Sequence, residues 1–232
     1  MNIILIGTQG SGKGTQAALL TQDFGIRHIA TGDLFRNALE AKTAFGLQAK
    51  DYIERGELVP DEITVAMVLS AIEEPESTQG IVLDGFPRTL AQAQALDNEL
   101  QRIHRHIDAV IYLNVTHEEL MSRLAGRYIC RDHQHLYHIK FRPPKVPGIC
   151  DQDGSELYQR SDDTGEAIER RLDIFFQETT HVLDYYKQQQ KLLELDADPS
   201  VKTVHAALLS QLNNSMGRKS NAAQPEGQDT VA

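Results

Sequence analysis

Gly7-Thr8-Gln9-Gly10-Ser11-Gly12-Lys13-Gly14-Thr15 follows directly on the apolar run at 2–6 and opens a helical stretch, and no other feature of the chain narrows its fold as much. Glycines let the backbone curl so that successive N–H groups face phosphate oxygens, and the helix N-terminus adds the positive end of its dipole. Lys13 supplies a mobile full charge. The general pattern asks for Ser or Thr directly after the lysine, whereas Gly14 stands there and Thr15 comes next, so direct hydroxyl ligation of magnesium is not assured. A glycine-rich turn with a solvent-facing lysine is the bland alternative, which the strand in front and the register of Lys13 outweigh. The loop points to a nucleoside polyphosphate as ligand.

Apolar runs at 80–84, 109–113 and 192–195 repeat the pattern of the run at 2–6, that of strands buried on both faces of a parallel sheet. Helical stretches lie between them. The clearest places Ile168, Leu172, Phe175, Phe176, Thr179 and Leu183 on one stripe of helical period, as core. Strands alternating with helices give an α/β chain with a doubly wound parallel sheet, helices on both faces and a ligand site beyond the carboxyl ends of the strands. Residues 30–59 hold two short helical pieces with no strand, and residues 127–163 are rich in Pro, Gly, His and Asp. Both read as insertions over the site. The stretch 213–232 loses periodicity and is expected to be a disordered tail. No internal repeat is found.

The 232 residues carry a formal charge of −10, which argues against a surface that coats nucleic acid or anionic lipid. Any anion must then be caught by a local cluster of cations. No apolar run is long enough to span a bilayer, and Ile3-Ile4-Leu5-Ile6 is too short for a signal-peptide core, so a cytoplasmic protein is expected.

Two further motifs say what accepts the phosphoryl group. Asp84-Gly85-Phe86-Pro87-Arg88-Thr89 follows the run at 80–84 and is trailed by Gln92, and Thr31-Gly32-Asp33-Leu34-Phe35-Arg36 opens the first insertion. With the glycine-rich loop, they make the chain resemble the adenylate kinases from Met1 to about Leu212. The resemblance implies a five-stranded P-loop core (1–29, 60–126, 164–212), a mobile nucleoside-monophosphate insertion (30–59) and a mobile lid (127–163) of the long bacterial, zinc-bearing type. It implies a monomer acting on ATP, AMP and ADP, with Mg2+ accompanying ATP.

By the same resemblance, Gly10, Ser11, Gly12, Lys13, Gly14, Thr15, Arg123, Leu136, Tyr137 and Pro199 would contact ATP, Leu136 and Tyr137 flanking its base. Thr31, Arg36, Glu57, Leu58, Val59, Gly85, Phe86, Pro87, Arg88, Gln92, Arg160 and Arg171 would line the AMP pocket, Arg36 and Arg88 on its phosphate and Gln92 on the adenine edge. Lys13, Arg88, Arg123, Arg160 and Arg171 would be catalytic, with Arg127 beside them.

The residues themselves agree with this assignment. Phosphoryl transfer spreads negative charge over the moving group, and catalysis is chiefly positioning and cancellation of that charge. Guanidinium groups bind phosphate in a bidentate way and stay charged. One arginine alone is usually a solvated surface charge; several at segment junctions of an α/β sheet are not. Asp84, at the carboxyl end of its strand, is placed to hold magnesium through water. Asp33 reads better as a turn or helix-cap residue after Gly32. Asp162 and Asp163 either orient lid arginines or cap the next helix. Two rival readings stand: a kinase for UMP, CMP or GMP, against which Thr31 and Gln92 tilt the choice, and a non-catalytic nucleotide sensor, against which the retained acceptor arginines speak.

The only two cysteines open the pairs Cys130-x2-His133 and Cys150-x2-Asp153 in the second insertion. Such pairs can converge on one tetrahedral zinc, and a segment this short needs a staple to hold its shape. Zinc-bearing adenylate kinases carry cysteines at the corresponding positions, sometimes with Asp last. Four protein ligands make such an ion structural. A hydrogen-bonded polar cluster or free thiols is the second reading, a disulfide the third, and His135 and His138 are close enough to substitute as ligands.

Overall fold

The computed structural model describes residues 1–55, 57–133, 135–159 and 165–222. Strands β1 (Asn2–Ile6), β2 (Arg27–Ala30), β3 (Ile81–Asp84), β4 (Ala109–Asn114) and β8 (Leu192–Asp196) form one five-stranded sheet. Its order is β2-β3-β1-β4-β8 and every pairing is parallel. All of β1 is buried, because both faces of the sheet are covered. Its side chains alternate between two layers. Ile3 and Leu5 pack toward Ala17 and Leu20 of α1 (Lys13–Phe24) and Val204, Leu208 and Leu212 of α9 (Val201–Ala222). Ile4 and Ile6 pack toward α4 (Asp61–Glu73), α5 (Leu90–Arg102) and α8 (Thr180–Gln188), through Val68, Leu96 and Val182 among others.

The expected doubly wound α/β architecture is therefore present. β2 was not legible as a strand, since it is a four-residue edge strand in which Ile29 is the only large aliphatic and Arg27 and His28 are polar. From β1 the chain crosses first to the edge strand β2 and comes back to β3 beside β1, then passes to the other side through β4 and β8. That reversal sets the crevice beyond the carboxyl ends of β1 and β3.

The first insertion is α2 (Thr31–Glu40) and α3 (Ala44–Arg55), two helices around a small core of Phe35, Ala49 and Val59. The second is reached from α6 (His117–Ala125), capped by Thr116, whose hydroxyl accepts from the Glu119 amide at 3.4 Å. It is a three-stranded antiparallel sheet of β5 (Arg127–Cys130), β6 (Leu136–His138) and β7 (Leu157–Tyr158) in the order β6-β5-β7. Its core holds Cys130, Tyr137, Cys150 and Leu157, too little apolar surface to fix a fold unaided.

Two expectations are corrected here. α7 (Gly165–Ile174) runs into α8 through a π-helical turn at Phe175–Thr179. Ile168, Leu172, Phe175 and Thr179 are buried as the stripe requires, but Phe176 is 59% exposed and packs edge-on against Phe175. The widened turn breaks the helical phase that the stripe assumed. Nor is the chain irregular directly after Leu212, because α9 continues to Ala222; the rest of the expected tail, 223–232, lies outside the described residues. Leu212 still belongs to the core beside Val204 and Leu208.

Candidate active site

The phosphate loop is shaped by steric demands at two glycines. Gly10 (φ +84°) and Gly12 (φ +93°) occupy the left-handed region, and a Cβ at Gly10 would lie 3.0 Å from the Leu124 side chain. Gly12 caps α1 and, having no side chain, supplies no acceptor of its own to the first-turn N–H groups. The buried Ser11 hydroxyl likewise lacks a hydrogen-bond partner. Lys13 Nζ donates to the carbonyls of Gly7 and Thr8, both at 2.8 Å, which folds its charge back over the loop.

Burial lowers the Lys13 pKa to about 8, opposed by the Asp84 carboxylate and aided by the charges of Arg88, Arg127 and Arg171. Three arginines from three different segments thus act on one lysine. Burial works against the Asp84 carboxylate too, yet the neighbouring His28 ring and the charges of Lys13 and Arg88 hold its pKa below the usual value. Asp84 is therefore an anion set among cations, with His28 Nε2 3.5 Å from its Oδ2. Such a group fits a hydrated divalent ion, whose positive charge it would meet at the mouth of the loop.

On the other side of the crevice, Gly85 (φ +79°) turns the chain sharply after β3, and a Cβ there would lie 2.9 Å from the Thr31 hydroxyl. Thr31 Oγ1 donates to the Gly85 carbonyl at 3.0 Å, joining the start of α2 to the end of β3. Phe86 and Pro87 are buried and joined by a cis peptide. Arg88 Nε donates to Gly85 O at 2.8 Å, and the Arg88 carbonyl accepts from Thr179 Oγ1 at 3.1 Å. Arg36 pairs with Asp33, and its buried Nε has no partner. Asp33 is accordingly not the cap of α2, whose N-cap is Ala30; it sits in the first turn, where a carboxylate favours the helix dipole and meets Arg36 one turn on. Glu57 pairs with Arg55, Leu58 is half-buried and Val59 joins the insertion core. Gln92 is bound on both ends of its amide, to the Arg88 N–H and to Asp61.

The expected ATP contacts are arranged less simply. Arg171 donates to Gln9 Oε1 at the loop. Arg123, in the last turn of α6, pairs with Glu119 and donates to the carbonyls of Ala197 and Asp198 at 2.8 and 3.0 Å, fixing the loop that carries exposed Pro199. Strand alternation in β6 leaves Leu136 exposed and turns Tyr137 into the lid core, its hydroxyl 3.4 Å from Cys150 Sγ. The Tyr137 ring thus faces the lid core, and its strand neighbour His138 shares the face of Leu136. Arg160, Ser161, Asp162 and Asp163 lie outside the described residues.

In the lid, Cys130, His135, Cys150 and Asp153 each offer one ligand atom, all within 4.8 Å of one another. This corrects the histidine: His133 stands on the turn after β5 with 67% of its side chain exposed, whereas His135 returns from it at 28%, its backbone amide donating to Cys130 Sγ at 3.1 Å. His133 keeps contact with the cluster through Asp153, at 3.0 Å. A tetrahedral zinc with bonds of about 2.0–2.3 Å needs neighbouring ligand atoms about 3.3–3.8 Å apart. His135 Nδ1 lies 3.4 Å from each sulfur and 3.1 Å from Asp153 Oδ2, so the four residues fit such an ion. Ser155 bonds Asp153 Oδ1 through its amide and hydroxyl, at 2.9 and 2.7 Å, orienting the carboxylate and holding its pKa well below the usual range. Both cysteines are buried, and they are not joined as a disulfide.

Against known proteins, the family model described as adenylate kinase matches residues 5–191. The adenylate kinase of Carboxydothermus hydrogenoformans is 48% identical over 91% of this chain and 99% of its own length. That of Staphylococcus aureus (strain Mu50) is 47% identical over 92% and 100%, and that of Bacillus velezensis 45% identical over 88% and 94%. The chain belongs to the adenylate kinase family. It is an ATP:AMP phosphotransferase. Sequence reasoning missed Asp61, Thr179 and Gln9 as parts of this adenylate kinase site. Each makes a contact across the fold, to Gln92, Arg88 and Arg171 respectively; no local pattern marks Asp61 or Thr179, and the loop motif that holds Gln9 does not announce its partner.

Proposed function

We propose that the chain catalyses MgATP + AMP ⇌ 2 ADP by direct in-line transfer, with Lys13 on the donor phosphates, Arg36 and Arg88 on the acceptor phosphate, and Arg123, Arg127, Arg160 and Arg171 closing on the transferred group. The observation that carries this reading is the convergence of Arg88, Arg127 and Arg171 on Lys13 with Asp84 as the opposing carboxylate. Like charges gathered at a strand-end crevice are unfavourable until polyanions fill it. Magnesium bound with ATP supplies further charge cancellation, and Asp84 would hold its water shell. The first insertion and the lid close over AMP and ATP, so that AMP rather than water receives the phosphoryl group. Zinc held by Cys130, His135, Cys150 and Asp153 would staple the lid and take no part in the chemistry.

Gln92 would read the acceptor base, with Thr31 and the Glu57-Leu58-Val59 segment around it, which favours AMP over GMP, CMP or UMP. The enzyme acts as a cytoplasmic monomer with no nucleic acid or membrane partner. The charge of −10 speaks against nucleic acid and anionic lipid as partners, and no described helix is long and apolar enough to cross a membrane. ADP formation followed for the intact protein and for Lys13→Met, with AMP, GMP, CMP and UMP as acceptors, tests the whole reading. Equal rates for the two proteins, or a preference for another monophosphate, would refute it.

A further inference from the structure

Gln92 is 1% exposed, and both ends of its amide are already engaged. Its Oε1 accepts from the Arg88 backbone N–H at 2.8 Å, and its Nε2 donates to Asp61 Oδ1 at 2.7 Å. Neither partner can reverse its role, because a peptide N–H only donates and a carboxylate only accepts. Asp61 is itself held. Its other oxygen accepts from Thr89 Oγ1 at 2.9 Å, and the same Thr89 hydroxyl caps α5 by accepting from the Gln92 backbone N–H at 3.2 Å. A half-turn of the Gln92 amide would set its oxygen against the carboxylate and its NH2 against the Arg88 N–H, exchanging two hydrogen bonds for two repulsions.

We propose that Asp61 is a specificity-determining positioning residue: by locking the Gln92 amide in one orientation it makes the acceptor site read a 6-aminopurine monophosphate and reject a 6-oxopurine. The inference rests on the reading of Gln92 given above. Adenine offers an N6–H donor beside the N1 acceptor, whereas hypoxanthine and guanine offer an O6 acceptor beside an N1–H donor. An amide free to turn would complement either order, since it carries both an acceptor and a donor. The locked amide keeps one free lone pair and one free N–H in fixed places and complements only the first. The wrong base then leaves buried polar groups facing like groups, the circumstance in which a site discriminates most strongly. Cytosine shares the order of adenine and uracil that of hypoxanthine, so CMP should exceed UMP among the poor acceptors.

The test compares kcat/KM for AMP and for IMP, with MgATP as donor, in the intact protein, Asp61→Asn and Gln92→Ala. An asparagine at 61 can turn either its oxygen or its NH2 toward Gln92, so half of the lock loses its sign. The AMP-over-IMP ratio is expected to fall by about tenfold or more, largely through a gain with IMP. A merely structural role for Asp61 would lower both acceptors together and leave the ratio unchanged, which would overturn the proposal. Gln92→Ala separates proposal from premise. A ratio unchanged in that variant means that Gln92 does not read the base; a ratio lost there but kept in Asp61→Asn means that it does and that Asp61 is not the lock. Should Asp61→Asn fail to fold, the intact protein decides through the NMR signals of the Gln92 side-chain amide with AMP bound. A single sharp pair with one proton protected from exchange supports the lock, and doubled or exchange-broadened signals contradict it.

Discussion

The Arg171 guanidinium donates to the side-chain oxygen of Gln9, tying the helix after the lid to the tip of the phosphate loop. A phosphate oxygen that recruits Arg171 must take it from Gln9. Gln9→Ala removes the competing acceptor, and a hydrogen bond from a charged donor contributes about 1.5–3 kcal/mol at most. Binding of a bisubstrate analogue is expected to tighten by roughly three- to tenfold in titration calorimetry. Weaker binding would mean that Gln9 positions Arg171 instead of restraining it.

Lys13 must be charged to hold phosphate, and burial brings its pKa down to about 8. The kcat/KM for ATP, which reports the free enzyme, is expected to fall as pH rises through about 8, while the limb in kcat moves to higher pH because bound phosphates favour the cation. Stability carries the opposite sign. Between about 8 and the ordinary lysine value of 10.5 the unfolded chain binds more protons than the folded one, so this group makes the fold more stable as pH rises across that window. Urea midpoints at the two ends of the window should show that gain in the intact protein and lose it in Lys13→Met.

Arg88 lies between Gly85, to which its side chain donates, and Thr179, which holds its carbonyl. Arg88→Ala is expected to lower kcat/KM for AMP by about 10²–10³, the range for removing a preorganised charge donor. Arg88→Lys should recover little, since an ammonium cannot make the bidentate contact. Thr179→Val removes only the hydroxyl and should cost about 0.5–1.5 kcal/mol of stability, read from denaturant midpoints.

The lid histidines give a direct assay of the metal site. His135→Ala should lose stoichiometric zinc, whereas His133→Ala should retain it, since His133 meets the cluster through Asp153 and by stacking on His135 and is not among the four converging ligand atoms. Removing the ion from the intact protein should lower the melting temperature by roughly 5–10 °C, at about 2–4 °C per kcal/mol for a chain of this size, while activity survives at low temperature. Metal analysis showing less than about a quarter equivalent of zinc in protein purified without chelator would count against the site.

What the sequence made legible is contiguous: the loop from Gly7 to Thr15, the turn from Asp84 to Arg88, and the helix start at Thr31 each carry their chemistry within a few residues. What it hid depends on tertiary placement. β2 is hidden because Arg27 and His28 look like loop residues until the sheet edge makes them a strand. Phe176 was assigned to the core because a fixed helical period has no place for a π turn. That His135 rather than His133 joins the cysteines was hidden because spacing alone does not say which way a tight hairpin faces its side chains. Asp61 meets Gln92 only because α4 and α5 pack together, so nothing near either residue announces the pair.

The residue assignments stand on two nucleotides being held end to end by one set of cations. Titration with an analogue of two adenosines joined by a polyphosphate tests this most directly. One analogue should bind per chain, be displaced by ATP and by AMP alike, and lose about 10²-fold in affinity in Arg88→Ala. Displacement by ATP alone, with Arg88→Ala binding as tightly as the intact protein, would contradict it.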